Sequence, residues 1–334
     1  MTALLRALPN ESLLRIRRAG ICWEGANREA AAASPGRRAF RTASVTKTFT
    51  AALVLLLCEE GKLSLDDRLS AHLEPALLDR MHVLDGISCG AHITIEQLLQ
   101  HRSGLFDYAT CSQFREHVAQ DPLRSWTPLE LLGEAVQAGA PYFAPGQGMN
   151  YSDTGYVLMA MVIEKVMGLP LAQAYREHLL QPLGLASTWL EGREVARIPQ
   201  VSHAFAGSID TAGFNPSFDT FGGGGLVSTA ADLDRFITGL LSGGVFLNID
   251  SLLHMMEGTD AAPGSGTRKT RTAAGLSAFV VADHLFWGHL GHWNSFMLHS
   301  MERDISICGT FNQSEENPAH LRLLEAAVAA ALEG

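Results

Sequence analysis

Positive charge is scarce in this sequence. Its 334 residues contain 25 lysine and arginine residues against 35 aspartate and glutamate residues, which gives a formal net charge of −10 at pH 7. Nucleic acids and anionic membranes attract basic surfaces, so this balance argues against either as a partner. No apolar run approaches the roughly 20 residues that span a bilayer as a helix. With 47% hydrophobic residues the chain can bury a large core, and we expect a soluble globular protein.

Cysteine is also sparse, and its spacing shows no disulfide framework. The five cysteines are odd in number and lack paired spacing. They are Cys22, Cys58, Cys89, Cys111 and Cys308. This pattern is typical of reduced thiols in a cytoplasmic protein, where disulfides are rare. The N-terminal segment places Arg6 and Pro9 where a signal peptide needs an unbroken apolar core. We therefore expect a cytoplasmic location, or a periplasmic one if an export signal has been removed.

The apolar run from Phe49 to Cys58 predicts a buried helix. It contains neither glycine nor proline, and Gly61 follows it in the place of a helix-ending glycine. Ser44 then lies at the helix N-terminus, where unpaired N–H groups and the helix dipole favour negative charge. Lys47 follows three residues later on the same face. A lysine in an apolar helix is costly unless it is paired or has lost its proton, and a neutral lysine can take the proton of a neighbouring serine hydroxyl.

The pair of Ser44 and Lys47 is a weak signal when taken alone. Ser-x-x-Lys arises by chance about once in a chain of this length, and Ser44 could simply cap a helix. Because an apolar helix has no structural need for a lysine, the position of Lys47 favours a catalytic pair over this simpler explanation.

A second polar cluster stands at the start of a second predicted helix. The stretch Tyr151-Ser152-Asp153 comes directly before the apolar segment from Tyr156 to Met167. The four glycines at 222–225 carry neither Gly-Lys-Ser/Thr nor a strand-linked Gly-x-Gly-x-x-Gly pattern. We interpret them as close backbone packing or a loop rather than as a phosphate site.

Strand patterns occur near both ends of the chain. Residues from Ser12 to Trp23 partly alternate apolar and basic side chains, which predicts one half-buried strand, and an alanine-rich loop is predicted from Gly25 to Gly36. A polar stretch from Gly264 to Thr272 precedes four short segments of period-two hydrophobicity, which predict an antiparallel meander. These segments run from Leu276 to Val281, Leu285 to His289, Ser295 to His299 and Ile305 to Gly309. A final helix is predicted from His320 to Leu332.

These elements predict an α+β fold in a single domain, with an antiparallel sheet flanked by helices. The first strand and the last four are too few to stand alone, so we expect them to pair in one sheet. The predicted α/β lobe covers about residues 1–62 and 262–334, and an inserted, mainly helical lobe covers about residues 63–261. A ligand site between the two lobes is then expected.

Three motifs follow one another in the order of a known family. They are Ser44-Val45-Thr46-Lys47, Tyr151-Ser152-Asp153 and His289-Leu290-Gly291. They resemble the Ser-x-x-Lys, Tyr-x-Asn and Lys/His-x-Gly motifs of the serine β-lactamase and penicillin-binding-protein superfamily, and more narrowly its class C β-lactamase, DD-carboxypeptidase and esterase branch. Further stretches at residues 98–105, 143–146, 181–185 and 223–232 look similar to that branch. The resemblance spans about Phe40 to Gly309 and implies a β-lactamase-like fold.

The resemblance also implies a role for each matched residue. Ser44 would be the nucleophile that forms an acyl-enzyme. Lys47 and Tyr151 would transfer protons, with the choice of base left open because the two groups titrate together. His289 would line the opposite wall of the pocket.

Substrate binding would involve a further set of residues. The resemblance implies an oxyanion hole from the backbone N–H groups of Ser44 and of His292, which follows Gly291. Asp153 would contact the substrate from the second motif. The histidines show neither His-x-x-x-His nor glutamate-paired spacing, so we expect no metal and no cofactor.

Two departures from the family pattern bear on the substrate. Asp153 puts a carboxylate where the family usually has asparagine, and it could pair with Lys47 or attract a substrate ammonium. His289 and Leu290 replace the lysine and the hydroxyl residue that help to hold a substrate carboxylate. We therefore predict an esterase, amidase or aminopeptidase-like serine hydrolase that acts on a small molecule or a short peptide, including D-amino-acid peptides.

Two other functions stay open. A β-lactamase or DD-carboxypeptidase would use the same three motifs. A catalytically silent member of the fold could serve as a binding or scaffold protein, but a buried lysine is costly to keep without a use, so Ser44, Lys47 and Tyr151 together argue against silence.

Overall fold

The computed structural model describes residues 12–26, 38–260, 269–315 and 317–333. The N-terminal ten residues considered above as a signal segment lie outside these ranges. So does the predicted alanine-rich loop between Gly25 and Gly36, except for its first two residues, which end a strand.

Fifteen strands and ten α-helices occur in the described ranges. The strands are β1 (Leu13–Arg18), β2 (Ile21–Ala26), β3 (Phe40–Arg41), β4 (Val83–Leu84), β5 (Ile87–Ser88), β6 (Trp189–Leu190), β7 (Phe205–Ala206), β8 (Ile209–Asp210), β9 (Leu226–Ser228), β10 (Gly258–Asp260), β11 (Lys269–Ala273), β12 (Ser277–Val281), β13 (His284–Gly291), β14 (Ser295–Ser300) and β15 (Ile305–Thr310). The helices are α1 (Thr46–Glu59), α2 (Pro75–Met81), α3 (Ile95–Leu99), α4 (Ser112–Gln120), α5 (Pro128–Ala138), α6 (Asp153–Met167), α7 (Leu171–Tyr175), α8 (Ala230–Leu241), α9 (Ile249–Met256) and α10 (Pro318–Glu333).

Eight of the strands form one antiparallel sheet. Their order across the sheet is β10-β11-β12-β13-β14-β15-β1-β2. β1 pairs with β15 from Leu13 opposite Thr310 to Arg18 opposite Ile305, so the first and last strands of the chain lie side by side. The α+β class, the meander of β12 to β15 and the joining of both chain ends in one sheet are therefore confirmed.

The single strand predicted from Ser12 to Trp23 is wrong, because this segment is the hairpin of β1 and β2. Ala19 and Gly20 form its turn, with φ angles of 47° and 82°. Two successive positive φ angles give the tight turn that matches the twist of paired strands. Ile21, Cys22 and Trp23 after the turn are apolar residues that also suit a strand, so the composition of the segment does not reveal the reversal.

The sheet also extends further than the sequence predicted. β11 begins inside the polar stretch from Gly264 to Thr272, ahead of the four predicted strands. It pairs with β12 on one side and with β10 on the other. Strand formation at this edge follows from pairing with neighbours rather than from local hydrophobicity.

Helix α1 is buried on all sides and contacts both the sheet and the helical part of the molecule. Each residue from Thr46 to Leu55 is at most 2% exposed. Phe49 stacks on Phe236 of α8 with ring centroids 3.7 Å apart. Gly61 follows the helix with a φ of 67°, as its predicted helix-ending place requires. A helix held this firmly fixes the position of whatever side chain stands at its N-terminus.

Other helix ends follow local sequence rules. Thr94 and Thr127 each form a capping box with the residue three positions later. Gly168 ends α6 with a φ of 66°, and its N–H donates to the carbonyl of Glu164. The last predicted helix is found as α10.

The division into two lobes at residues 62/63 and 261/262 stays a prediction. Helix α8 falls inside the predicted helical lobe and packs against β1, β14 and β15 of the sheet.

Within the described ranges no single helix is long and apolar enough to cross a membrane. Helix α6 and the segment Leu171–Leu180 have the required length and apolarity only when they are taken together, and a 77° bend separates them.

Asp234 joins helix α8 to the sheet. Its carboxylate accepts hydrogen bonds from Arg15 Nε at 2.9 Å, from Arg17 Nε at 3.0 Å and from the hydroxyl of Ser306. Burial alone would raise the pKa of Asp234, but the hydrogen bonds from Ser306 and Arg15 and the charge of Arg17 hold that pKa below its usual range.

Replacing Asp234 with alanine is expected to lower the free energy of unfolding by about 3 kcal/mol, because two partly buried guanidinium groups lose their shared carboxylate. The urea midpoint of the variant measures this loss. The pKa of Asp234 is lower in the folded state than in the unfolded state. The stabilisation by Asp234 is therefore fully present above the pKa of the unfolded state and disappears as pH falls through the pKa of the folded state.

The matched control is Asp304→Ala, which removes the exposed partner of Arg17 and is expected to lower the free energy of unfolding by less than about 1 kcal/mol. Equal losses in the two variants would contradict this account.

Candidate active site

Ser44 lies in a tight turn at the start of α1. The turn, Ala43–Val45, is a short 3₁₀ helix that leads directly into α1. Ala43 has a φ of 45°, a left-handed conformation that is strained for a residue with a side chain. Strain of this kind persists only where the surrounding structure enforces it, and it often occurs at functional sites. Ser44 itself is half-buried.

Thr42 enforces this turn by tying it to two strands. Its backbone N–H and its hydroxyl donate to the carbonyl of Leu226 in β9 at 2.9 and 2.8 Å. Its own carbonyl accepts from the hydroxyl of Ser295 in β14 at 2.7 Å. Ser44 is therefore positioned from both sides as well as by the helix behind it.

Lys47 Nζ is surrounded by oxygen atoms. It donates to Ser44 Oγ at 3.1 Å and to the carbonyl of Gly223 at 2.8 Å, and it forms an ion pair with Asp153. Three acceptors are the full complement of an ammonium group. The Lys47 side chain is 0% exposed, so water does not supply alternatives.

The protonation state of Lys47 follows from these contacts. Burial alone would lower the pKa of Lys47, but the negative charge of Asp153 and its hydrogen bond, together with Tyr151, raise it. A buried lysine is either paired with an acid or neutral, and Lys47 is paired. Its partner is Asp153, which is one of the two roles that the sequence allowed for Asp153.

Gly223 permits the approach of the charged pair. A Cβ atom on Gly223 would lie 2.6 Å from Asp153 Oδ1 and 3.4 Å from Lys47 Nζ. The first distance is shorter than any real Cβ contact, so a side chain at this position would push the carboxylate away. The glycine run therefore serves close backbone packing, the first of the two interpretations given above.

Tyr151 lies over the same ammonium group. Lys47 Nζ is 4.8 Å from the centre of its ring, so the hydroxyl of Tyr151 lies in the field of this charge. Burial raises the pKa of Tyr151, and although the charge of Lys47 opposes it, the charge of Asp153 adds to the rise. The resting hydroxyl therefore keeps its proton at neutral pH.

His101 orients Tyr151 from behind. The two rings stack with centroids 4.4 Å apart and an angle of 28° between their planes. The Nδ1 atom of His101 lies 3.1 Å from the backbone nitrogen of Ser152, from which it accepts a hydrogen bond. His101 lies in the stretch 98–105, which was identified only as part of the family resemblance. Its role could not be predicted, because it depends on a contact with a residue 50 positions away that no local pattern reveals.

Asp107 supports the start of α6. Its carboxylate accepts from the backbone N–H of Asp153 at 3.0 Å and from that of Ala109 at 3.3 Å. Burial and the charge of Asp153 raise the pKa of Asp107 to about 7. Sequence analysis missed this residue, since nothing in its neighbourhood distinguishes it from other acidic loop residues.

The third motif lies on β13, opposite Tyr151. The His289 and Tyr151 ring centroids are 6.2 Å apart, and His289 is 7% exposed. Its Nδ1 lies 2.6 Å from the carbonyl of Leu290, where Nδ1–H is the donor. Leu290 places no hydroxyl here.

The end of β13 passes close to the turn of Ser44. A Cβ atom on Gly291 would lie 2.2 Å from Ser295 Oγ and 2.4 Å from the carbonyl of Thr42. Gly291 therefore permits close packing between β13 and the turn, and its predicted contact with a substrate stays a prediction. His292 follows it as an exposed residue whose ring packs edge-on against Trp293.

The predicted catalytic residues thus meet in space: Ser44, Lys47, Tyr151, Asp153 and His289 come from three separate parts of the chain. A serine at a helix start, next to a positive charge and a tyrosine, can attack a carbonyl carbon once a neighbouring group accepts its proton. Across the described ranges no group of three or more His, Cys, Asp or Glu side chains is arranged to hold a metal ion.

Comparison with known proteins gives one family for nearly the whole chain. The model of the Beta-lactamase family matches residues 15–332. A penicillin-binding protein of Bacillus subtilis is 33% identical over 162 residues, which are 47% of this chain and 32% of that protein. This match therefore spans about a third of the length of the curated relative.

Two solved structures match over almost their full length. A D-stereospecific amidohydrolase from Streptomyces is 28% identical with a TM-score of 0.82, covering 97% of this chain and 95% of that one. A D-amino acid amidase from Ochrobactrum anthropi is 22% identical with a TM-score of 0.81, covering 99% of this chain and 98% of that one. The second likeness, at this identity, is one of fold.

Replacing Asp153 with asparagine is expected to make Ser44 reactive at lower pH. Asp153 raises the pKa of both Lys47 and Tyr151, so removing its charge lowers both, and whichever of the two is the base loses its proton earlier. The pH profile of Ser44 modification by a fluorophosphonate should shift down by about 1–3 units.

The matched control for this variant is Asp250→Asn. Asp250 also occupies the first turn of a helix, but it is exposed. The pH profile of Ser44 modification in this control variant should coincide with that of the wild type. An unchanged or upward-shifted profile for Asp153→Asn would contradict the assignment of Asp153 as the charge that governs this site.

Proposed function

Because the chain belongs to the beta-lactamase family, we propose that it is a serine hydrolase that forms an acyl-enzyme on Ser44 and cleaves amides, esters or short D-amino-acid peptides. The observation that carries this proposal is the buried ammonium of Lys47, held by Asp153 and the carbonyl of Gly223 at 3.1 Å from Ser44 Oγ.

The proton path is set by the charge of Lys47. An ammonium cannot accept the proton of Ser44, so Tyr151, whose hydroxyl is protonated at rest, acts as a proton relay. As Ser44 Oγ bonds to the carbonyl carbon, its proton moves to the oxygen of Tyr151, the hydroxyl proton of Tyr151 passes to the leaving group, and the bond to the leaving group breaks. Water reverses the path in deacylation. The developing oxyanion would accept from the backbone N–H groups of Ser44 and His292.

The residues of the third motif favour amides and simple esters over β-lactams as substrates. His289 uses Nδ1–H on the carbonyl of Leu290, so that N–H is not available to a substrate carboxylate. Leu290 adds no hydroxyl. The D-stereospecific amidohydrolase from Streptomyces, similar over 97% of this chain, supports the same substrate class.

A second candidate is a DD-carboxypeptidase or β-lactamase activity. The 33% identity to a penicillin-binding protein of Bacillus subtilis favours it. Both candidates use the same acyl-enzyme and differ in whether the substrate carries a carboxylate near the scissile bond.

Intact mass after incubation with a fluorophosphonate tests the nucleophile. The wild type should gain one adduct and Ser44→Ala none. The matched control is Ser112→Ala, which removes an exposed serine at the start of α4 and should still gain one adduct. An unlabelled wild type, or an adduct that persists on Ser44→Ala, would contradict the proposal.

Hydrolysis rates then separate the two candidates. With an active Ser44, the kcat/KM for amino-acid amides and p-nitrophenyl esters should exceed that for benzylpenicillin by at least about 100-fold, since a missing ion pair and hydrogen bond to the carboxylate cost the latter about 3 kcal/mol. Saturable turnover of penicillin without turnover of amides would instead establish the second candidate.

A further inference from the structure

Asp219 is an acidic residue beside the active site that the mechanism does not use. It directly follows a 3₁₀ turn, Pro216–Phe218, and precedes the glycine run at 222–225. Among the described residues its carboxylate has no hydrogen-bond donor and no ion-pair partner, while its backbone N–H donates to the carbonyl of Pro216 at 3.0 Å. A partly buried carboxylate without a partner is costly unless a ligand supplies one.

The carboxylate lies against the backbone that holds the catalytic lysine. A Cβ atom on Gly224 would lie 2.2 Å from both oxygens of Asp219, whereas one on the preceding Gly223 would lie 2.6 Å from Asp153 Oδ1. The two carboxylates therefore flank two successive glycines. Lys47 forms its ion pair with Asp153, and none of the ion pairs among the described residues involves Asp219.

Asp219 also lines a small cavity next to the nucleophile. The cavity of about 10 Å³ has Ala43, the neighbour of Ser44, and Trp293 in its wall. This is the size of a single water molecule or ammonium group. The other charged residues of the wall, Arg41 and Glu191, bind each other through two hydrogen bonds of 2.8 and 3.0 Å.

The electrostatic setting favours a cation at this place. Burial and the charge of Asp153 raise the pKa of Asp219 to about 7, with Glu191 adding to the rise and Lys47 and Arg41 opposing it. A positive group in the cavity would restore full ionisation of the carboxylate. A negative group would face the charges of Asp153, Asp219 and Glu191 together.

We infer that Asp219 is the receptor for the α-ammonium group of the substrate, which makes the substrate class aminoacyl amides and esters with an unblocked amino group. This inference rests on the proposed function. The α-ammonium stands one carbon away from the carbonyl that Ser44 attacks, and a carboxylate in the wall beside Ser44 binds it through a charge-assisted hydrogen bond. N-acylated compounds lack that charge and leave Asp219 unpaired.

Protection of Ser44 against fluorophosphonate labelling tests the inference without requiring turnover. Phenylalanine amide, in both enantiomers, and N-acetylphenylalanine amide compete with the probe on the wild type, Asp219→Asn and Asp219→Ser. In the wild type the better enantiomer of the unblocked amide should protect at an about 10- to 100-fold lower concentration than its N-acetyl form. In both Asp219 variants that preference should disappear, while the probe alone still labels Ser44 at close to the wild-type rate.

The control variant is Asp210→Asn. Asp210 is an exposed carboxylate of the same connecting segment that faces His203, and its removal should leave the preference for the unblocked amide intact. Equal protection by blocked and unblocked amides in the wild type would overturn the inference, as would an undiminished preference in Asp219→Asn. Both of these outcomes leave the proposed function standing, because Ser44 is still labelled. A wild type that the probe does not label contradicts the proposed function itself.

Discussion

A buried ammonium group needs acceptors on every side, and in this protein that requirement organises the active site. Lys47 is 0% exposed and lies inside an apolar helix, so its three protons must go to oxygen atoms from elsewhere in the chain. Asp153 at the start of α6, the carbonyl of Gly223 and the hydroxyl of Ser44 supply them. The convergence of these segments brings Tyr151 over the ammonium. The absence of a side chain at Gly223 makes room for the ion pair of Lys47 and Asp153.

The carboxylate of Asp153 changes how this arrangement works. A neutral amide at the same position would leave Lys47 to the effect of burial, which lowers its pKa, whereas the charge of Asp153 raises it. In the proposed mechanism Lys47 then acts as a fixed positive charge, and Tyr151 carries the mobile proton. Two further carboxylates, Asp107 and Asp219, feel the charge of Asp153, and the pKa of each is raised to about 7. The site as a whole carries more negative than positive charge, which agrees with a cationic substrate.

Sequence reasoning predicted the features that depend on local pattern. The apolar run after Ser44 predicts helix α1, the period-two segments predict the meander, and the order of the three motifs predicts that distant residues meet. The reversal at Ala19 and Gly20 escaped prediction because the residues on both sides of this tight turn suit a strand. Two roles of Asp153, pairing with Lys47 and attraction of a substrate ammonium, could be named but not chosen between, since the choice depends on a contact 106 residues away. Asp219 gave no signal at all, because its significance lies in having no partner in the folded chain.

The protonation state of Lys47 is the central claim, and nitrogen NMR measures it directly. The chain contains only four lysines, so a protein labelled with ¹⁵N at lysine Nζ gives four signals, and the Lys47 signal is the one missing from Lys47→Met. We expect Lys47 to keep the chemical shift of an ammonium to a pH above the ordinary pKa of lysine. Loss of the Lys47 proton near or below neutral pH would contradict the account, because Lys47 rather than Tyr151 would then be the base.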